Sequence, residues 1–164
     1  GSQAGWSLTA MVQNLAGFKG LPHRCQRVES SDGVQWINDS KATNIGATTT
    51  ALNNVDKDII WIAGGQGKGA DFNDLKSSIT PHIKHLILIG EDAVNIEAAL
   101  SGLVPMSHAG GMQAAVNLAA GFAMKNSVVL LSPACASFDM FKSFEHRGNE
   151  FAKCVQLVIT RGAE

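Results

Sequence analysis

Asp39, Ser40, Lys41 and Thr43 stand within five residues of one another. An apolar, strand-like run containing Val34, Trp36 and Ile37 precedes them, and a helix-like run from Asn44 through Leu52 comes after. An anion, a cation and two hydroxyls are thus delivered at a strand-to-helix turn, the edge at which open α/β sheets bind ligands. A charged surface loop with Thr43 or Asn44 as helix cap is the plain alternative. Capping has no use for Lys41 and leaves Asp39 without a task. A second concentration is Gly64-Gly65-Gln66-Gly67-Lys68-Gly69-Ala70-Asp71-Phe72. Its glycines admit close backbone approach to a ligand, and Lys68 adds a mobile point charge. It is neither a Walker A loop, since Gly69 comes directly after Lys68, nor a dinucleotide fingerprint opening a helix. A tight turn accounts for the glycines equally well. The third runs from Ser132 to Phe144 and on through Glu145-His146-Arg147-Gly148-Asn149. Ser132 and Ser137 offer hydroxyls, and Phe138, Phe141 and Phe144 offer apolar walls. Phe141 and Phe151 read better as core. Cys135 reads as a small buried filler rather than a nucleophile, and the Gly-x-Ser-x-Gly of a serine hydrolase is absent.

These loops need a scaffold. Cys25–Glu29 and Val34–Asn38 flank Ser31-Asp32-Gly33, a hairpin signal. Further strands are expected at Asp58–Ala63, His85–Ile89, Val104–Ser107 and Ser127–Leu131. Helices are expected at Asn44–Asn53, Asp71–Ile79, Asp92–Leu100, Gly111–Met124 and Phe144–Val158, with a loose tail after Ile159. Apolar strands without alternation, separated by helices, define a Rossmann-like α/β fold. It has a mostly parallel sheet of about six strands, helices on both faces and one antiparallel edge strand. Right-handed crossovers bring Asn38-Asp39, Gly64-Gly65, Gly90, His108 and Ser132-Pro133 to one rim. Gly1-Ser2 reads as a cloning remnant. Residues 3–20 read as the trailing helix of a preceding domain with its linker, Leu8, Met11, Leu15 and Phe18 sharing a face, and residues 21–164 as the domain proper. The net charge of −1 supplies no footprint for nucleic acid or an anionic membrane. No apolar run approaches a membrane span. Three dispersed cysteines argue against a disulfide framework or zinc site and fit a reducing cytoplasm. His82 and His85 read as surface residues, and no metal site is expected.

Five segments recur together in one family. They are Leu21-Pro22-His23-Arg24, Asn38 to Asn44, Gly64-Gly65-x-x-Lys68-Gly69-x-Asp71-Phe72, Leu131 to Ser137, and Phe144-x-x-Arg147-Gly148-x-x-Phe151. In that order they resemble the carboxy-terminal domain of the D-glutamate-adding Mur ligases of bacterial peptidoglycan synthesis. The Ser40-Lys41-Ala42-Thr43-Asn44 run separates these from sister ligases and folylpolyglutamate synthetases, which carry other residues there. The resemblance implies an ATP-dependent amide ligase, cytoplasmic and monomeric. ATP, with Mg2+, phosphorylates the carboxylate of UDP-N-acetylmuramoyl-L-alanine, and the amine of D-glutamate attacks the acyl phosphate. It places Lys41, Thr43, Lys68, Ser137 and Phe144 around D-glutamate. Phe138 falls at a further pocket position, where the family's best-known member has leucine, and Gln66 replaces an acidic residue of that member. Arg24 and Asp39 fall at positions facing ATP. His23 lies at the domain hinge and, with Lys41, is the candidate for a catalytic role. The ATP P-loop domain and the nucleotide-sugar domain lie outside these residues, so the chain alone is expected to be inactive and to hold neither ATP nor Mg2+. The rivals are a non-catalytic nucleotide- or amino-acid-binding α/β module and a sister-ligase or folylpolyglutamate synthetase-like domain. The chemistry agrees with the resemblance: two carboxylates call for lysine charge and hydroxyl donors. Asp39 can accept from ribose hydroxyls, and the planar fork of Arg24 suits phosphate.

Overall fold

The computed structural model describes residues 20–162. The expected remnant at Gly1-Ser2 and nearly all of the expected trailing helix lie outside the described residues. The first strands, β1 (Gln26–Val28) and β2 (Gln35–Asn38), form the expected antiparallel hairpin, with Val28 opposite Trp36. Helix α1 (Ile45–Asn53) is capped by Asn44, whose side chain accepts from Ala47 N. Then come β3 (Ile59–Gly64), a 3-10 helix (Phe72–Ser78), β4 (Ile83–Ile89), α2 (Ala93–Leu100), β5 (Met106–His108), α3 (Met112–Phe122), β6 (Val128–Leu131) and α4 (Phe144–Arg161).

The sheet order is β1-β2-β6-β3-β4-β5, parallel throughout except for the β1–β2 edge pair. The central strands are buried on both faces. Trp61 and Leu86 point into a core closed by Leu52, Leu75, Ile96 and Leu100 from α1, the 3-10 helix and α2. Ile60, Ile62, Ile87 and Val129 point the other way, against Met112, Val116, Phe151 and Val155 of α3 and α4. That double burial is why the strands read as unbroken apolar runs.

Most boundaries move by one or two residues, and four differences have a physical reason. Residues 72–78 form a 3-10 helix rather than an α-helix, although Asp71 still caps it by accepting from Asn73 N. Its buried residues are Phe72, Leu75 and Ser78. A three-residue period puts those on one stripe only at three residues per turn. Strand β4 starts at Ile83, because Ile83 pairs with Ile59 although the intervening Lys84 is exposed. Strand β5 lies at Met106–His108 instead of Val104–Ser107. Pro105 has no N–H to give the ladder, and its carbonyl only accepts from Leu86 N. Helix α4 runs past Ile159 to Arg161, so no loose tail begins there: Val158 and Ile159 pack on the second core.

Candidate functional site

The carboxyl ends of β2, β3, β4 and β6 meet at one rim, and the backbone stitches them together. Asp39 N donates to Leu131 O (2.8 Å), Gly64 N to Pro133 O (2.9 Å) and Ala109 N to Leu88 O (2.9 Å). Gly64 adopts φ +117°, and a Cβ there would overlap Ile89 O. Only glycine lets the strands end so close together. Gln66 and Ala136 exchange a pair of 2.9 Å backbone hydrogen bonds, joining the second loop to the third.

In the first loop Asp39 is buried and both its oxygens are engaged. Oδ1 accepts from Cys25 N (3.2 Å) and Oδ2 from the Ser132 hydroxyl (2.9 Å). Burial pushes this carboxyl above the usual carboxylate range, although both hydrogen bonds and nearby Arg24 oppose the shift. Ser132 Oγ also lies 3.1 Å from Thr48 Oγ1, which accepts from Ala134 N (3.0 Å). Asp39, Ser132 and Thr48 therefore form a buried polar chain beneath the rim. Asp39, Arg24 and Lys41 line a cleft of about 290 Å³ whose far wall is Ala47, Thr50, Ala51 and Asn54.

The two lysines each lie against a ring. Lys41 Nζ stands 3.7 Å from the centroid of Phe144, and Lys68 Nζ stands 5.3 Å from that of Phe138. Phe138 is 64% exposed, so its ring is a solvent-facing rest for Lys68 and not part of the core. Ser137 is buried, and its carbonyl holds a turn by accepting from Met140 N and Phe141 N. Thr43 is half-buried one residue beyond Ala42, its N–H donated to Lys41 O. Among the described residues no hydrogen bond links Thr43 to Lys68 or Ser137 directly. The second loop commits part of its backbone internally: the amides of Gly64, Gln66, Gly67 and Ala70 go to Pro133 O, Ala136 O, Asp92 Oδ2 (2.6 Å) and Gly67 O, and Lys68 is the charged group that loop presents.

His23 sits at φ +59° and is buried against Gly148, where a Cβ would collide with Nδ1. Asn38 fixes its tautomer. Asn38 Oδ1 accepts from Ser40 N and Nδ2 donates to Gly148 O (2.9 Å), so the amide orientation is set and its other N–H faces His23 Nδ1 (3.1 Å). Nδ1 accepts, and the ring proton sits on Nε2. In the neutral ring Nε2–H is then the group left to donate. The His23 carbonyl meanwhile accepts from Lys41 N (3.0 Å), linking its segment to the first loop. Cys135 is fully buried, and burial near Asp92 pushes its thiol up to about 12, which suits a filler and not a nucleophile. His85 is half-buried, stacked on Phe122 with Nε2 2.8 Å from Ser107 Oγ, so it is not the free surface residue expected.

Sequence reasoning missed the roles of Thr48, Asn38 and Arg147, whose side chains carry the rim from below. Arg147 is fully buried. Its Nε donates to Ser40 Oγ (2.9 Å), Nη2 to Ser40 O (2.9 Å) and Nη1 to Cys135 O (3.0 Å). Only the order of the segments hinted that residues so far apart in the chain meet.

An open, mostly parallel sheet with lysines, hydroxyls and an acid gathered outside its strand ends is an α/β domain with a candidate ligand site at its rim. More narrowly, the chain belongs to the Mur ligase, glutamate ligase domain family, which matches residues 23–135. It is 50% identical over 157 residues to the UDP-N-acetylmuramoylalanine--D-glutamate ligase of Legionella pneumophila, covering 93% of this chain and 35% of that protein. It is 48% identical to the enzyme of the same name from Colwellia psychrerythraea, covering 95% and 34%. The chain thus spans about a third of the length of these relatives. Among solved structures, the MurF ligase of Thermotoga maritima in complex with ADP superposes with a TM-score of 0.65 at 16% identity, covering 92% of this chain and 34% of that one. Folylpolyglutamate synthase from the same organism superposes at 0.56 and 15%, covering 95% and 34%. At such identities these two establish the fold.

Proposed function

We propose that residues 21–164 form the D-glutamate-holding domain of an ATP-dependent amide ligase that joins D-glutamate to UDP-N-acetylmuramoyl-L-alanine. The observation that carries the reading is the rim. Lys41 and Lys68 reach it on separate loops, beside the hydroxyls of Thr43 and Ser137, in a chain about half identical to ligases of that name. Two cations and two hydroxyls match the two carboxylates of D-glutamate. Phe144 and Phe138 hold the ammonium groups in place when no anion is present, and a carboxylate draws them off the rings. Arg24, at the mouth of the neighbouring cleft, meets the nucleotide phosphates, while Asp39 fixes the cleft wall through Cys25 and Ser132. His23 Nε2–H serves as a donor at the hinge. Placing the amine against an acyl phosphate formed elsewhere is a positioning task, which closure of this domain performs. Among the described residues no group of three or more His, Cys, Asp or Glu side chains could hold a metal ion. The magnesium that phosphoryl transfer uses would bridge the phosphates of the nucleotide.

The test is an amide NMR titration of the 164-residue chain with D- and L-glutamate. D-glutamate is expected to shift Lys41–Asn44, Gly64–Gly69 and Ser137–Phe144, leave His82–Leu86 unmoved, and bind weakly because the opposing domain is missing. L-glutamate is expected to do less. Equal responses to the two enantiomers would sink the proposal.

A further inference from the structure

A buried arginine ordinarily faces a carboxylate. Arg147 takes part in none of the ion pairs among the described residues, and its three hydrogen-bond partners are all neutral oxygens. Burial pulls the guanidinium down to about 10, with Cys135 and Asp139 opposing the shift. The partners come from different parts of the rim. Ser40, in the first loop, accepts at both Oγ and O, and its hydroxyl passes its own proton to Phe144 O (2.8 Å) at the start of α4. Cys135, in the third loop, accepts at its carbonyl. The second loop lies against the same group, since a Cβ built on Gly65 would stand 3.3 Å from Nη1. One planar fork thus hydrogen-bonds two of the loops that bear the candidate ligand groups and lies close to the third. The residues it meets are near those groups in the chain: Lys41 is next to Ser40, Lys68 lies three residues beyond Gly65, and Ser137 lies two residues beyond Cys135.

We infer that Arg147 is the positioning residue of the rim: its fork sets the three loops in register, so that Lys41, Lys68 and Ser137 converge on one anion. It does not touch that anion. Lysine at this position keeps the charge but not the planar fork, and cannot serve Ser40 O, Ser40 Oγ and Cys135 O together. The inference rests on the D-glutamate reading for the identity of the anion, but not for the setting of the loops.

The experiment compares wild type, Arg147→Lys and Ser40→Ala in the 164-residue chain by amide NMR, before and during titration with D-glutamate. Without ligand, Arg147→Lys is expected to shift Ser40–Thr43, Gly65–Gln66 and Ala134–Ser137 together, with the strand amides of Ile60–Ile62 and Leu86–Leu88 unchanged. On titration its affinity falls by about tenfold, and that of Ser40→Ala by less, since one of three fork contacts goes. Arg147→Lys shifts confined to α4, or wild-type affinity in that variant, would overturn the inference. Should Arg147→Lys fail to fold, Ser40→Ala decides: a joint shift of the first and third loops supports the fork, and a shift of the first loop alone overturns it. If wild type ignores D-glutamate while the loops of Arg147→Lys still move together, the ligand assignment falls and the setting of the loops stands.

Discussion

At the scale of single residues, the lysines are the groups whose loss is expected to matter most. Lys68 is the charge its loop presents, the preceding Gly67 amide being held by Asp92. Lys68→Ala is expected to abolish the response to D-glutamate, whereas Lys142→Ala, with no proposed contact, leaves it intact; a surviving response in the first variant would remove Lys68 from the pocket. In a full-length ligase carrying this domain, Arg24→Ala would remove the proposed charge-assisted phosphate contact of roughly 1.5–3 kcal/mol, so about tenfold to a hundredfold in ATP-dependent turnover is expected to go. Unchanged kinetics would make Arg24 a surface residue. Asp39 is expected to tie stability to pH. Its folded carboxyl holds its proton to higher pH than the unfolded chain does. It therefore favours the folded state in acid, and that contribution is lost as pH rises through the folded value. Asp39→Asn keeps an acceptor for Cys25 N and sheds the buried charge. Its melting temperature is expected to exceed that of wild type at neutral pH, with the gap closing on acidification; a gap that widens in acid would reverse the sign. The places of Lys41, Thr43, Lys68 and Ser137 on the rim loops were legible in the sequence because charges and hydroxyls stand out just beyond apolar strands. Arg147 and Thr48 were not, because arginine and threonine read as surface residues until the chain is folded around them.

At the scale of elements, the rim depends on how α1 and the strand ends are joined. Thr48, on the buried side of α1, accepts from Ala134 N at the entrance of the third loop. Thr48→Val keeps the shape, leaves that buried N–H without a partner, and is expected to cost about 1–3 kcal/mol in chemical denaturation. An unchanged midpoint would mean that the loop finds another acceptor. The elements were largely legible: the hairpin chemistry at Asp32-Gly33, the unbroken apolar strands and the caps at Asn44 and Asp71 all act locally. The 3-10 helix was not, because its three-residue stripe of Phe72, Leu75 and Ser78 shows only when the burial of a serine is known. The end of α4 was not either, since Val158 and Ile159 gain their helical place by packing on a core made by other strands.

At the scale of the whole molecule, the sheet is a plate with its chemistry along one edge, and the sequence pattern predicts that edge because parallel strands alternate with helices. The contacts that hold the edge together span the chain. Asn38 reaches Gly148 across 110 residues and Ser40 reaches Arg147 across 107, distances over which local patterns carry no information. The same architecture sets a limit on the isolated chain. Phosphate-cradling loops offer several unpaired backbone amides at a helix start. Here the glycine-rich loop commits its Gly64, Gln66 and Gly67 amides to Pro133 O, Ala136 O and the Asp92 carboxylate, and it leads into a 3-10 helix capped by Asp71. A carboxylate already seated on the Gly67 amide repels a phosphate from that position. Gly69 stands directly after Lys68, so the hydroxyl that binds magnesium in a P-loop is also missing. The cleft at Arg24 can add one contact to a nucleotide, which is too little for tight binding. The 164-residue chain is therefore expected to release no phosphate from ATP with magnesium and to give no calorimetric signal for ATP at micromolar concentration. Gly69→Ser, which restores the missing hydroxyl, is expected to change neither result, because the Gln66 and Gly67 amides remain committed to Ala136 and Asp92. Magnesium-dependent phosphate release from the pure chain would show that it carries a complete nucleotide site and would overturn its assignment as the amino-acid-holding part of the ligase.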